Sequence, residues 1–232
     1  MSIPIFLAFS LGACSPEIEN ERASAEMRWR VTVTITTPDG ERTGSSVWSW
    51  TLSKPSIALA TPFDGKFVGE AVAVDLPNGK TVFALLDGTT SSPSMLPERQ
   101  FYDETRGMRD RLETIRFLAR RIGDTRSLPC EVRGPDDRIP KFRFDCLKLA
   151  AFEDLNDPSS IFVVDYHDAE ATLGEGYQIK DISIAITDAA VSTGIEGRLP
   201  WYRSEDLTVF DWSDVPSEIF IGDFRRNFKS TK

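Results

Sequence analysis

The stretch Arg28-Trp29-Arg30-Val31-Thr32-Val33-Thr34-Ile35-Thr36 decides the fold. It alternates without a break. Trp29, Val31, Val33 and Ile35 fall on one face, and arginine and threonine fall on the other. A period of two is that of a half-buried strand, and β-branched and aromatic residues favour it. Pro38-Asp39-Gly40 signals a turn. Val47-Trp48-Ser49-Trp50-Thr51-Leu52 then returns as a second strand, closed by Pro55.

Working outward, Val68 to Leu76 and Thr81 to Leu86 read as a second hairpin joined by Pro77-Asn78-Gly79. Both strands are richly apolar, which predicts places at the centre of a sheet. Residues 88–98 form a loop. Met108, Leu112, Ile115, Ala119 and Ile122 then recur at helical spacing and predict one main helix over about 101–122, with Gly123 as its C-cap. Its other face carries Arg106, Arg109, Asp110, Glu113, Arg116 and Arg120. Phe142 to Leu149 and Tyr177 to Thr187 read as further strands, and Ile161 to Val164 as strand or helix. The tail, with Phe210, Trp212, Phe220, Ile221, Phe224 and Phe228, is too aromatic to be left in water. No repeat or low-complexity linker divides residues 27–228. The expected fold is a single α+β domain, a mainly antiparallel sheet built from hairpins with one main helix.

The 232 residues carry 27 Lys and Arg against 36 Asp and Glu, a net charge of -9. That balance argues against a general nucleic-acid binder, which needs a basic face, and against docking on anionic lipid by overall charge. The one histidine, His167, argues against a histidine-based metal site or relay. No metal and no cofactor is expected.

Residues 1–13, MSIPIFLAFSLGA, are uncharged and hold an apolar run too short to span a membrane. The run fits the hydrophobic part of a secretory signal. Leu11-Gly12-Ala13-Cys14 resembles the lipobox of bacterial lipoproteins. The resemblance implies cleavage before Cys14, acylation of that cysteine, and an outer-membrane anchor facing the periplasm, with two acyl chains for stable attachment. Met1-Ser2 departs from the pattern, because such signals carry Lys or Arg there. The alternative is an apolar N-terminal element packed on the domain. Residues 14–26, polar and rich in glutamate, read as a tether.

Three cysteines leave Cys130 and Cys146 once Cys14 is assigned to lipid. An exported protein meets an oxidising compartment, and the intervening Gly134-Pro135-Asp136-Asp137 allows the chain to turn back. A disulfide between Cys130 and Cys146 is expected, with two buried free thiols as the alternative.

Several motifs reduce to structure. Asn78-Gly79-Lys80-Thr81 lacks the first glycine of a phosphate loop and precedes a strand. Gly174-Glu175-Gly176 reads as a helix stop, Asp154-Leu155-Asn156-Asp157 as a turn or cap, and His167 as a residue of a polar turn. Glu70 stands out inside an apolar strand, where a carboxylate must be paired, protonated or turned to solvent. Thr193 to Tyr202 is the most distinctive loop. Its Glu196, Arg198, Trp201 and Tyr202 form a candidate recognition surface, or else the loop plugs the end of a sheet.

Residues 69–86, GEAVAVDLPNGKTVFALL, and 192–201, STGIEGRLPW, are similar to uncharacterised proteobacterial proteins; the resemblance implies no activity. The leading expectation is an envelope lipoprotein with a non-catalytic, protein-binding or structural periplasmic domain. Its partners would be the membrane, through the anchor, and another envelope protein. Two alternatives remain: an envelope hydrolase using Glu70, Asp75 and Glu196, or a cytosolic binding protein with an apolar N-terminus.

Overall fold

In the computed structural model the alternating stretch forms β1, Ser24–Thr37, four residues longer at its start than the alternation predicts. The structure describes residues 24–54, 63–86, 93–128, 130, 146–204, 206–219 and 221–231. Cys14 and the remainder of 1–13 and 14–23, the Gly134-Pro135 turn and Phe220 lie outside the described residues. β1 pairs along its whole length with β2, Gly40–Ser53, so that Trp29 faces Trp48 in register. Their rings meet edge to face at 6.2 Å, and Phe67 completes the cluster at 6.1 and 5.8 Å.

The chain continues through β3 (Asp64–Glu70), β4 (Val72–Asp75), β5 (Thr81–Ala84), three short helices α1 (Leu96–Gln100), α2 (Tyr102–Thr105) and α3 (Arg111–Ala119), and β6 (Thr125–Ser127). It ends with β7 (Leu149–Phe152), β8 (Ile161–Val164), the turn-long α4 (Glu170–Leu173), β9 (Gln178–Ile186) and β10 (Lys229–Ser230). Two sheets result, every described pair antiparallel. One has the order β10-β3-β2-β1-β9-β6, the other β4-β5-β7-β8. The chain is a single α+β domain dominated by antiparallel sheet.

The predicted strand 68–76 is broken at Ala71, and its halves belong to different sheets. The ladder fails there because two side chains and the C-terminal backbone take the backbone groups. The Glu70 carbonyl accepts from Trp48 Nε1 at 2.7 Å and from Ser46 Oγ at 2.8 Å, while the Ala71 N–H donates to the Phe228 carbonyl at 2.8 Å.

The apolar character of β4 and β5 has a different cause from the one expected. β4 is an edge strand, but its sheet is covered on both faces. Val72, Val74, Val82, Ala84, Leu149 and Ala151 point into a core shared with the larger sheet and α3. Phe83, Leu85, Ala150 and Phe152 point the other way, into a second core closed by Ile195, Leu199, Trp201, Ile219, Phe224 and Phe228. The irregular tail is therefore a structural layer, as its aromatic content predicts.

The single helix expected over 101–122 is corrected to two pieces, α2 and α3, with α1 ahead of that range. Phe101 turns inward, and the chain leaves helix at Arg106-Gly107. Asp110 starts a new helix by accepting the Leu112 N–H at 2.8 Å. The predicted apolar stripe holds only within α3, at Leu112 and Ile115, joined by Leu118; Ile122 is exposed. The strand expected over Phe142 to Leu149 is displaced: residues 146–148 are not strand and β7 begins at Leu149, while 142–145 lie outside the described residues. The Asn-Gly hairpin turn is present, with Gly79 at φ +83°, a conformation that suits glycine.

The two sheets approach closely at Gly44. A Cβ there would lie 2.1 Å from the Ala73 carbonyl oxygen, a backbone atom that no rotamer change can move. Gly44→Ala should therefore force the sheets apart and lower stability by about 2–3 kcal/mol. Urea unfolding checks this; a loss below about 0.5 kcal/mol would mean the sheets separate freely there.

Candidate functional site

The sheet switch at Glu70-Ala71 gathers three remote segments onto β3: β2, the 192–198 loop and the C-terminal 227–229. Glu70 is 4% exposed. One carboxylate oxygen, Oε2, accepts the Ile195 N–H at 2.9 Å; the other, Oε1, faces the Lys229 ammonium at 3.1 Å. The same ammonium donates to Glu196 Oε1 at 2.6 Å, and Arg203 reaches Glu196 Oε2 at 3.2 Å. Two acids and two bases thus alternate in a neutral row. Beside it, Arg198 grips Asp75 through both carboxylate oxygens, at 2.8 and 3.0 Å, and Thr81 Oγ1 donates to Asp75 at 2.9 Å. A cleft of about 250 Å³ opens here, lined by Ser45, Ser46, Glu70, Ser192, Thr193 and Arg198 among others.

The electrostatics follow from this pairing. The hydrogen bond from Lys229, helped by Arg203, holds the Glu196 carboxyl below the usual carboxylate range. Arg198 does the same for Asp75, against a smaller opposing effect of burial. Glu196 raises the Lys229 ammonium above the ordinary lysine value, with Glu70 adding to it. A general acid must hold its proton near neutral pH. Glu196 and Asp75 are held the opposite way, as the charged halves of ion pairs.

A depressed carboxyl contributes stability above its unfolded value, near 4, and loses it as pH falls through the folded value. A raised lysine contributes fully below its unfolded value, about 10.4, and loses it as pH rises through the folded one. Melting temperature should therefore fall below about pH 4 and again above about pH 10.4, and Lys229→Met should weaken the alkaline drop. Identical alkaline limbs in the two proteins would contradict the pairing.

The structure divides the expected recognition loop. Arg198 is exposed and Tyr202 half-buried, but Trp201 is only 3% exposed and lies in the second core with Ile195 and Leu199. Glu196 is held by Lys229 and Arg203. Much of the loop is a plug, and Trp201 is corrected from a surface contact to a core residue. Its indole covers a sheet face rich in phenylalanine, which needs a large apolar lid.

Glu70 and Glu196 are brought together through one ammonium; Asp75 sits apart with Arg198. Lys229, Arg203, Ser46 and Trp48 carry no local sequence signal for these roles. The one available hint is general: a glutamate in an apolar strand needs a cation from elsewhere.

Cys130 and Cys146 are within bonding distance as a disulfide, with Cα atoms 4.8 Å apart. A larger cleft of about 410 Å³ borders them, together with Val163, Val164, Tyr166 and His167. Its polar groups converge less than those at Glu70: His167 Nε2 lies 3.1 Å from the Cys130 carbonyl oxygen, and Asp165 Oδ1 accepts the His167 N–H in a local turn. Asp154 and Asp157 likewise accept N–H groups two residues ahead, at 2.8 and 2.9 Å, as turn and cap. Among the described residues no group of three or more His, Cys, Asp and Glu could hold a metal.

Two antiparallel sheets sharing one switched strand, locked by an ion-paired seam, define the class of domain. Comparisons of the chain with protein-family models, with curated proteins and with solved structures returned no match.

Proposed function

We propose that this chain is an envelope lipoprotein anchored at Cys14, whose domain faces the periplasm and binds another envelope protein or serves a structural role. The observation that carries this reading is the bonded pair Cys130 and Cys146, because a structural disulfide persists in an oxidising compartment and rarely in the cytosol. The pair leaves Cys14 as the odd cysteine, following Leu11-Gly12-Ala13. The ion-paired seam supports binding over catalysis, since its acids neutralise bases instead of standing ready to transfer protons.

Fractionation of cells making the full chain or its Cys14→Ala variant, with intact mass of each product, tests the anchor. Membrane-bound wild type beginning at Cys14 with added acyl mass is expected, together with a variant that keeps its signal. A soluble product beginning at Met1 would overturn the reading. A thiol count on the native protein tests compartment separately: reactive Cys130 and Cys146 in freshly isolated protein would favour a cytosolic binding protein.

A further inference from the structure

The region from α1 to β6 departs from the charge of the whole molecule. Residues 96–126 carry eight arginines, no lysine and six acids, in a chain of net charge -9. Some of these charges are matched internally. Arg111 pairs with Glu98 at 2.9 Å, and Glu104 is shared by Arg126 at 2.8 Å and Arg121 at 3.8 Å. Arg109 and Arg120 are exposed and have no acidic partner among the described residues.

Large apolar groups stand among these arginines. Tyr102 is 62% exposed and Ile122 is 55% exposed. The bonds from Glu104 to Arg121 and Arg126 hold α2, which carries Tyr102, against the segment that carries Ile122. Arg121 and Arg126 also stack over the buried Phe101 ring, at 5.6 and 4.5 Å, so the patch has a firm base.

Its position gives the patch a partner. Arg116 Nη2 donates to the Ser24 carbonyl oxygen at 3.0 Å, so α3 lies beside the point where the described chain begins. The ten steps from Cys14 to Ser24 span at most about 35 Å. An anchor at Cys14 would therefore keep this face within reach of the membrane surface.

We propose that the face formed by Tyr102, Arg120 and Ile122 rests on anionic phospholipid headgroups of the bilayer that holds the anchor, an inference that rests on the lipoprotein reading. Guanidinium groups bind phosphate through paired hydrogen bonds, and aromatic and aliphatic side chains among them settle at the headgroup level. Each arginine near an anionic surface multiplies affinity about fivefold, and the tether raises the local concentration. The acidic balance of the whole chain does not oppose this, because attraction falls off within a Debye length of about 10 Å.

The test uses the full chain carrying Cys14→Ser, without acyl groups, mixed with vesicles of phosphatidylcholine alone or of equal parts phosphatidylcholine and phosphatidylglycerol. The protein is expected to sediment with the anionic vesicles and to leave them at about 0.5 M salt. Arg120→Glu with Ile122→Ser should weaken binding at least about tenfold. Both sites are exposed, so the melting temperature should hold, and Tyr102→Ser at an exposed position of the patch provides a second probe. Equal sedimentation with neutral vesicles, undiminished binding by the variants, or no binding at all would overturn the proposal. Because no acyl chain is present, these outcomes bear on headgroup docking alone. Missing acyl mass in the cell experiment would instead sink the anchor.

Discussion

Glu70→Ala should cost about 3–5 kcal/mol of folding stability, the loss expected when one partner of a buried ion pair is removed. The carboxylate is 4% exposed and holds both the Ile195 N–H and the Lys229 ammonium. Without it, a buried donor is orphaned and the C-terminal strand keeps only its backbone and Ser230 bonds to β3. Lys229 keeps Glu196, which places the loss toward the lower end of that range. Glu70→Gln retains an acceptor for Ile195 and should lose about half as much. Urea unfolding of Glu70→Ala, Lys229→Met and the double variant gives the coupling directly. A coupling below about 0.5 kcal/mol, or a loss below about 1 kcal/mol in Glu70→Ala, would mean that the carboxylate is solvated and the seam is not a lock.

Trp201→Ala should also cost about 3–5 kcal/mol, through the cavity it leaves. The indole packs against Phe224 at 5.2 Å, Phe228 at 5.4 Å and Phe152 at 5.9 Å, all in the second core. Its Nε1 has no hydrogen-bond partner among the described residues, so Trp201→Phe removes an unsatisfied donor and should cost about 1 kcal/mol or less. The pair of variants separates plug from recognition surface. A surface tryptophan would tolerate alanine within about 0.5 kcal/mol and change binding instead.

The parts of this fold legible in the sequence are those governed by local rules. The alternation at 28–36, the Asn-Gly turn, the Gly174 helix stop and the Asp154 and Asp157 turns each depend on a few neighbouring residues, and each is found in the structure. The division of 101–122 into two helices is not legible locally, because a stripe counted at helical spacing does not register the inward turn of Phe101 or the new start that Asp110 provides. The break at Ala71 is invisible locally: Val68 to Leu76 is a good strand by composition, and its division is imposed by Trp48, Ser46 and Phe228. The same holds for the seam. Glu70 announces that it needs a partner, but nothing near it names Lys229. The loop at 193–202 shows the reverse error. Its mixture of glycine, charge and aromatic residues suggests a surface, whereas Ile195, Leu199 and Trp201 have a phenylalanine-lined sheet face to cover.

The attachment of the last residues to the sheet switch bears on the order in which the domain can be completed. Every long strand has been delivered once Ile186 has emerged, yet Ala71 and Glu70 wait for Phe228 and Lys229. In a chain emerging from its N-terminus, the shared core of the two sheets can therefore assemble first, and the switch is fastened only when residues 227–229 arrive.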